Sequence, residues 1–216
     1  MNSNLERSRE RIEVYNTIVL AITTLAVAWS SYQASLWNGI QTFDLAASNK
    51  YSRLAQQKII QAGQSMAMEE AVIIGFVNAV YDRNMARADF IMKGVKPELS
   101  KIMSDWLQTR PFENPTAPLH PMATAGYQEL MQKRTGESEK LGELGQQSYD
   151  EGRKANLNGD TYSLLTVLFS MVMFLGAIAT KLSRIQLRLI VTVIASVICI
   201  GVLLVLFFYM PVAHKG

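Results

Sequence analysis

Few residues in this chain have the chemistry for catalysis or metal binding. There are two histidines, His120 and His214, and one cysteine, Cys199. His120 lies in a proline-rich stretch and Cys199 in an apolar run, and neither histidine belongs to a metal-ligand spacing. A lone cysteine also excludes a disulfide scaffold. Gly63-Gln64-Ser65-Met66-Ala67 has the outline of a nucleophile elbow, but its surroundings predict helix and no strand precedes it, as that turn requires. Neither a Walker A loop nor a dinucleotide-binding glycine fingerprint occurs. Glu69–Glu70 and the Glu137/Glu139 pair fall on predicted helices, where neighbouring carboxylates are usually a solvated face. The sequence therefore predicts no enzyme, no cofactor and no metal.

Another constellation is more informative. Trp29, Gln33, Trp37 and Gln41 recur every four residues, and Asp44 continues the stripe. If the arms of the molecule pair, Arg153-Lys154-Ala155-Asn156-Leu157-Asn158-Gly159-Asp160 stands opposite, with Asn156 and Asp160 as the polar partners. Amides and a carboxylate at one depth can satisfy each other where helices leave lipid, beside an aromatic belt. This membrane-collar cluster reads as a small polar site or hinge, or as a belt with interhelical hydrogen bonds. A second stripe joins Thr166, Ser170, Ala177 and Thr180 to Thr192, Ser196 and Cys199. Small hydroxylated residues at this spacing suit close helix packing, or the lining of a pore built from several copies.

The elements that must position these residues follow from hydropathy. The chain has 216 residues, 49% of them apolar and 18% charged, and its mean hydropathy of +0.10 is high for a soluble domain. The distribution is uneven: 161–180 and 189–213 carry no charge. A bilayer core about 30 Å thick needs roughly 20 apolar residues in helical form. The stretches 161–180 and 189–210 meet this, with Pro211 just beyond, and 14–31 meets it more weakly because Asn16, Thr17, Thr23 and Thr24 dilute it. Ala26-Val27-Ala28 also fits a signal-peptidase pattern, but Glu6, Glu10 and Glu13 dilute the basic flank, so 14–31 is expected to be retained as a first span. None of the three carries a mid-membrane ionisable group of the kind coupled carriers need, and three spans contain no inverted repeat.

Orientation follows from basic residues in short loops. Residues 1–13 contain Arg7, Arg9 and Arg11, and 181–188 contains Lys181, Arg184 and Arg188 without an acid. Three spans put both segments on one side, predicting a cytoplasmic head (1–13) and a cytoplasmic loop (181–188). The domain 32–160, with 14 basic and 15 acidic residues, and the tail 211–216 are then extracytoplasmic. The net charge of +3 lacks a dominant basic block, so no nucleic-acid partner is expected.

Residues 32–160 read as mostly helical. Leu36, Ile40, Phe43, Ala47, Tyr51 and Leu54 mark one helix face, with a break expected near Gly63. The apolar stretch 71–80 is too short to span and predicts a buried helix. Pro97 opens a short helix ending near Gln108, anchored by Trp106 and Leu107. Four prolines in 110–121 predict a stiff, extended loop capping the helical head, with partner binding as the other reading. The segment 124–154, with Tyr127, Leu130, Met131, Leu141 and Leu144 on one side, returns as a helix running into the second span. The fold expected is all-α: three transmembrane helices with an extracytoplasmic helical hairpin or bundle between spans one and two.

Three groups of residues carry a likeness: Trp29-Ser30-Ser31-Tyr32-Gln33-Ala34 with Trp37-Asn38-Gly39-Ile40-Gln41; Trp106-Leu107 with Asn114-Pro115-Thr116-Ala117-Pro118; and Glu151-Gly152-Arg153-Lys154-Ala155-Asn156 with Gly159-Asp160-Thr161-Tyr162 and Thr166-Val167-Leu168-Phe169. In these the chain resembles an uncharacterised bacterial family of three-span membrane proteins with a domain of unknown function. The resemblance implies a multi-pass protein of the bacterial cytoplasmic membrane and supports the collar stripe as a family feature. That family pattern has no assigned catalytic residues, so none are carried over. The function expected is that of a non-enzymatic structural or interaction protein in contact with membrane lipid, homo-oligomeric, a scaffold or accessory subunit. The 110–121 loop is a further place for a protein partner. The competing readings are an oligomeric channel lined by spans two and three and a stator-like ion-driven motor subunit.

Overall fold

The structure, a computed structural model, describes residues 2–214. It consists of five α-helices and a 3-10 turn: α1 (Asn2–Tyr81), α2 (Met85–Gly94), α3 (Pro97–Gln108), the turn Pro121–Ala123, α4 (Ala125–Lys181) and α5 (Ile185–Phe208). Three of them, α1, α4 and α5, are long and apolar enough to cross a membrane. The chain divides into two compact units, one made of Met1–Ala46 with Ser148–Gly216 and the other of Ala47–Gln147.

In the first unit the buried positions of α1 include Asn16, Val19, Thr23, Ala26, Ser30 and Gln33. Their alternating steps of three and four form the seam of a left-handed coiled coil. The same rhythm on α4 buries Tyr162, Leu165, Phe169, Val172 and Ala179, and α5 contributes Thr192, Ala195, Cys199, Val202 and Leu206. This explains why 14–31 reads as a weak span. Of its four polar residues Asn16 and Thr23 lie on the inner face, and the exposed Thr17 and Thr24 return their hydroxyls to Glu13 O and Leu20 O, while Val14, Ile18, Ile22 and Leu25 point outward. Asn16 Nδ2 donates to Gly176 O at 2.9 Å, and Thr23 Oγ1 meets Cys199 Sγ at 3.5 Å. Asn16 Oδ1, Ser30 Oγ and Thr192 Oγ1 have no hydrogen-bond partner among the described residues.

Glycines let α4 approach α1 closely. A Cβ on Gly152 would lie 3.2 Å from Leu45, one on Gly159 2.6 Å from Asn38 Oδ1, and one on Gly176 2.7 Å from Leu20 Cδ2. At the other end of this unit Arg188 closes α4. Its Nε and Nη2 donate to Ala179 O (3.1 Å) and Thr180 O (3.0 Å), satisfying last-turn carbonyls, with Glu13 3.8 Å away. Arg9 Nη2 donates to Ser183 O at 2.8 Å.

In the second unit α1 runs through Gly63 without the expected break. Gly63 has no neighbour within 4 Å. An exposed helical glycine costs only about 1 kcal/mol relative to alanine, and the surrounding Gln, Ala and Met residues are good helix formers. The helix ends instead at Arg83, whose φ of 59° is left-handed. Asn84 N–H donates back to Ala79 O at 2.8 Å, closing a Schellman-type stop, and Asn84 Oδ1 then caps α2 by accepting from Arg87 N–H. Pro97 begins α3, as its position predicted. One face of the stretch 71–80 is buried by packing: Ile73, Phe76 and Ala79 join Leu99, Met103, Trp106, Tyr127 and Leu130 in one core, while Ile74 stays exposed. Leu144 departs from the expected α4 face and is 44% exposed.

The proline-rich loop is folded into turns rather than extended. Arg110 O accepts from Glu113 N–H and Asn114 O from Ala117 N–H, placing Pro111 and Pro115 at the second position of successive turns. Proline's fixed φ suits that position as well as it suits an extended chain. The loop packs on its own unit: Trp106 Nε1 donates to Pro118 O at 2.7 Å, and the Phe112 ring meets Trp106 and Tyr81. Beside this core Glu69 accepts from both Arg134 terminal nitrogens, at 2.9 and 2.8 Å, with Tyr127 Oη at 3.4 Å. Burial, and secondarily Glu69, hold the Tyr127 phenol above its ordinary pKa, so it serves as a neutral donor.

Candidate functional site

Gln33 is 1% exposed. A buried amide needs partners for both its donor and its acceptor. Both come from the segment after α5: Ala213 N–H donates to Gln33 Oε1 at 2.8 Å, and Gln33 Nε2 donates to Ala213 O at 3.3 Å. One turn further along α1, Trp37 Nε1 donates to Pro211 O at 3.2 Å. From α4, Tyr162 Oη donates to the same oxygen, also at 3.2 Å. Tyr162 is fully buried and Ala213 nearly so.

Local sequence accounts for each part. Gln33 lies on the buried seam of α1 and Tyr162 on that of α4, so helix packing positions both. Pro211 cannot continue a helix, and the chain leaves α5 without regular secondary structure, so its peptide groups need partners that a side-chain amide can supply. All four bonds are to backbone atoms of 211 and 213. The clamp therefore holds peptide groups without selecting side chains.

The remaining collar residues fall elsewhere. Trp29 is 43% exposed and its ring meets Tyr32 at 6.2 Å, away from the clamp. Gln41 is half-buried on α1. Asp44 lies near Glu151. Burial first, and Glu151 second, raise its carboxyl above the ordinary value. Asn156 Nδ2 donates to Asp160 Oδ2 at 3.0 Å, one turn apart on α4. The structure thus brings Gln33 and Trp37 together, and pairs Asn156 and Asp160 with each other rather than with α1. Tyr162, Pro211 and Ala213 complete the cluster. The signal for them was the odd number of spans, which returns the segment after α5 to the level of Gln33.

The hydroxyl stripe divides in two. Thr192 and Ser196 are buried, and Ser196 Oγ donates to Thr192 O at 2.7 Å. Ser170 and Thr180 are exposed and Thr166 is half-buried, each returning its hydroxyl to a carbonyl of its own helix. The bulky Tyr162, Leu165 and Phe169 take the inner face of α4 and turn the hydroxyls away from the bundle. Among the described residues no three His, Cys, Asp or Glu side chains converge to hold a metal ion. Compared with protein-family models, curated proteins and solved structures, the chain finds no match.

Proposed function

We propose that the protein is a non-enzymatic, homo-oligomeric scaffold or accessory subunit of a bacterial cytoplasmic membrane. In this reading α1, α4 and α5 cross the bilayer and the unit Ala47–Gln147 stands outside the cell as an interaction domain. The observation that carries the reading is the apolar surface of that unit. Leu119 is 89% exposed, Phe90 79%, Tyr81 and Met68 72%, and Ile74 54%. Large apolar side chains exposed together on a soluble surface mark contact sites. Ile73, Ile74 and Val77 of α1, with His120 and Met122 of the loop, also line a groove of about 470 Å³. Orientation rests on the arginines of the head and of the 181–188 loop.

The test is particle mass in native-lipid discs. The expected result is a multiple of the 24.1 kDa chain. Phe90→Asp and Leu119→Asp should each weaken assembly about ten- to a hundredfold, since burying one such side chain contributes roughly 1.5–3 kcal/mol. A single-chain particle in native lipid would overturn the reading. A channel is the second reading, favoured by Ser170 and Thr180 facing out of the chain's own bundle. Unit conductance in planar bilayers that is altered by Ser170→Leu would select it.

A further inference from the structure

The clamp on residues 211 and 213 has the construction of a binding site with an occupant. Its three side chains come from α1 and α4, its ligand is the non-helical peptide of 211–213, and the ligand's own Ala213 is 5% exposed. We propose that Gln33, Trp37 and Tyr162 form a latch that binds the segment after α5 in cis, and that it closes only when α5 has been threaded fully past them.

The geometry supports both halves of this statement. α5 has 24 residues, about 36 Å at 1.5 Å per residue, slightly more than a bilayer core of about 30 Å. Its exit end therefore falls at the lipid boundary, and residues 211–213 come just beyond it. If α5 stopped one helical turn short, residue 213 would sit about 5.4 Å from its place and all four bonds would be lost together. In that state Gln33, Trp37 and Tyr162 would keep three donors and an acceptor without the peptide groups that satisfy them here. Between Arg188 at its start and the latch, α5 packs mainly through apolar contacts beside the Thr23–Cys199 pair, as with Val202 and Leu206 against Ala26, Ala34 and Phe169, and apolar contacts tolerate sliding by a turn. The latch fixes the register at the exit end of α5, as the Arg188 bonds to Ala179 O and Thr180 O do at its entry end. It requires three crossings, so that 33 and 213 share one side, but it does not depend on the oligomeric state.

Cysteine accessibility tests it. Ala213→Cys is placed in a Cys199→Ser background and labelled with a membrane-impermeant maleimide in right-side-out and inside-out vesicles. His214→Cys, next to it and exposed, sets the rate of a free site. A closed latch predicts labelling at 213 at least tenfold slower than at 214. Gln33→Leu removes two of the four bonds and should bring the two rates within about twofold. Trp37→Phe keeps the ring, removes one donor and should accelerate labelling about two- to tenfold, the effect of one neutral hydrogen bond. Because Trp37→Phe preserves packing, it keeps the test valid if Gln33→Leu does not assemble. Equal rates at 213 and 214 in the parent protein would overturn the latch, and so would rates at 213 indifferent to both substitutions. Labelling from the opposite vesicle face would overturn the proposed orientation and leave the latch intact.

Discussion

Asp44 stands beside Glu151 in a partly desolvated position, and both effects favour its protonated form. A carboxyl whose folded pKa is raised binds protons more tightly in the folded chain than in the unfolded one. Stability then falls as pH rises from the ordinary value of 3.8 through the folded value, and above that window the ionised carboxylate carries its full cost. Asp44→Asn should therefore raise the thermal midpoint of the detergent-solubilised protein at about pH 8, and the gain should vanish at about pH 3, where both states are protonated. An equal gain at both pH values would mean that charge is not the cause. The sequence marked Gln33 and Trp37 because amides and indoles at helical spacing near a lipid boundary need partners. It did not mark Ala213, which contributes only backbone atoms that no side chain announces. Nor did it separate Asn156 and Asp160 from the collar, because a bond one turn along a helix and a bond across to a neighbour use the same residue types.

Glycines distinguish two kinds of position on the long helices. Gly63 has open space around it, whereas a methyl on Gly176 would overlap Leu20. Gly63→Ala should stabilise the protein by about 0.5–1 kcal/mol through backbone entropy. Gly176→Ala should cost about 1–3 kcal/mol by overpacking. Thermal or denaturant melts in one detergent would compare them, and the prediction fails if the two shifts share a sign. Gly145 continues the spacing of Gly152 and Gly159, and in its own unit it meets Ser52 Oγ at a Cβ distance of 3.1 Å. This period of seven is a close-packing register that hydropathy and motif reading passed over, because glycine marks it by what it lacks. Helix α3 was readable from Pro97 because proline's stop-and-start preference is local. The loop fold was not, because proline permits a turn and an extended chain alike and Trp106 decided between them from a distance. Helix α1 was expected to break at a glycine whose small local penalty the flanking residues absorb.

At the scale of the molecule, hydropathy alone led to three helices fit to cross a membrane, because a window of about 20 residues sums over local detail. What it hid was that Asn16 and Thr23 of the first face inward while Thr17 and Thr24 face out, since an average cannot tell which side of a helix its Asn and Thr residues occupy. Topology reporters check the proposed orientation: a fusion within 110–121 should be active outside the cytoplasm and one within 181–188 inside it. The reverse pattern would put the large unit in the cytoplasm and revive the motor reading. The latch also implies how this protein can diverge. Because its bonds end on peptide groups, the exposed position 212 is free to drift in residue type, whereas the buried 213 stays small and excludes proline, since its N–H is a donor. Spacing is not free, since a single residue gained or lost between Leu206 and Ala213 would carry the paired peptide out of reach of Gln33. Lineages of this protein should therefore vary the spelling of the segment while keeping its length.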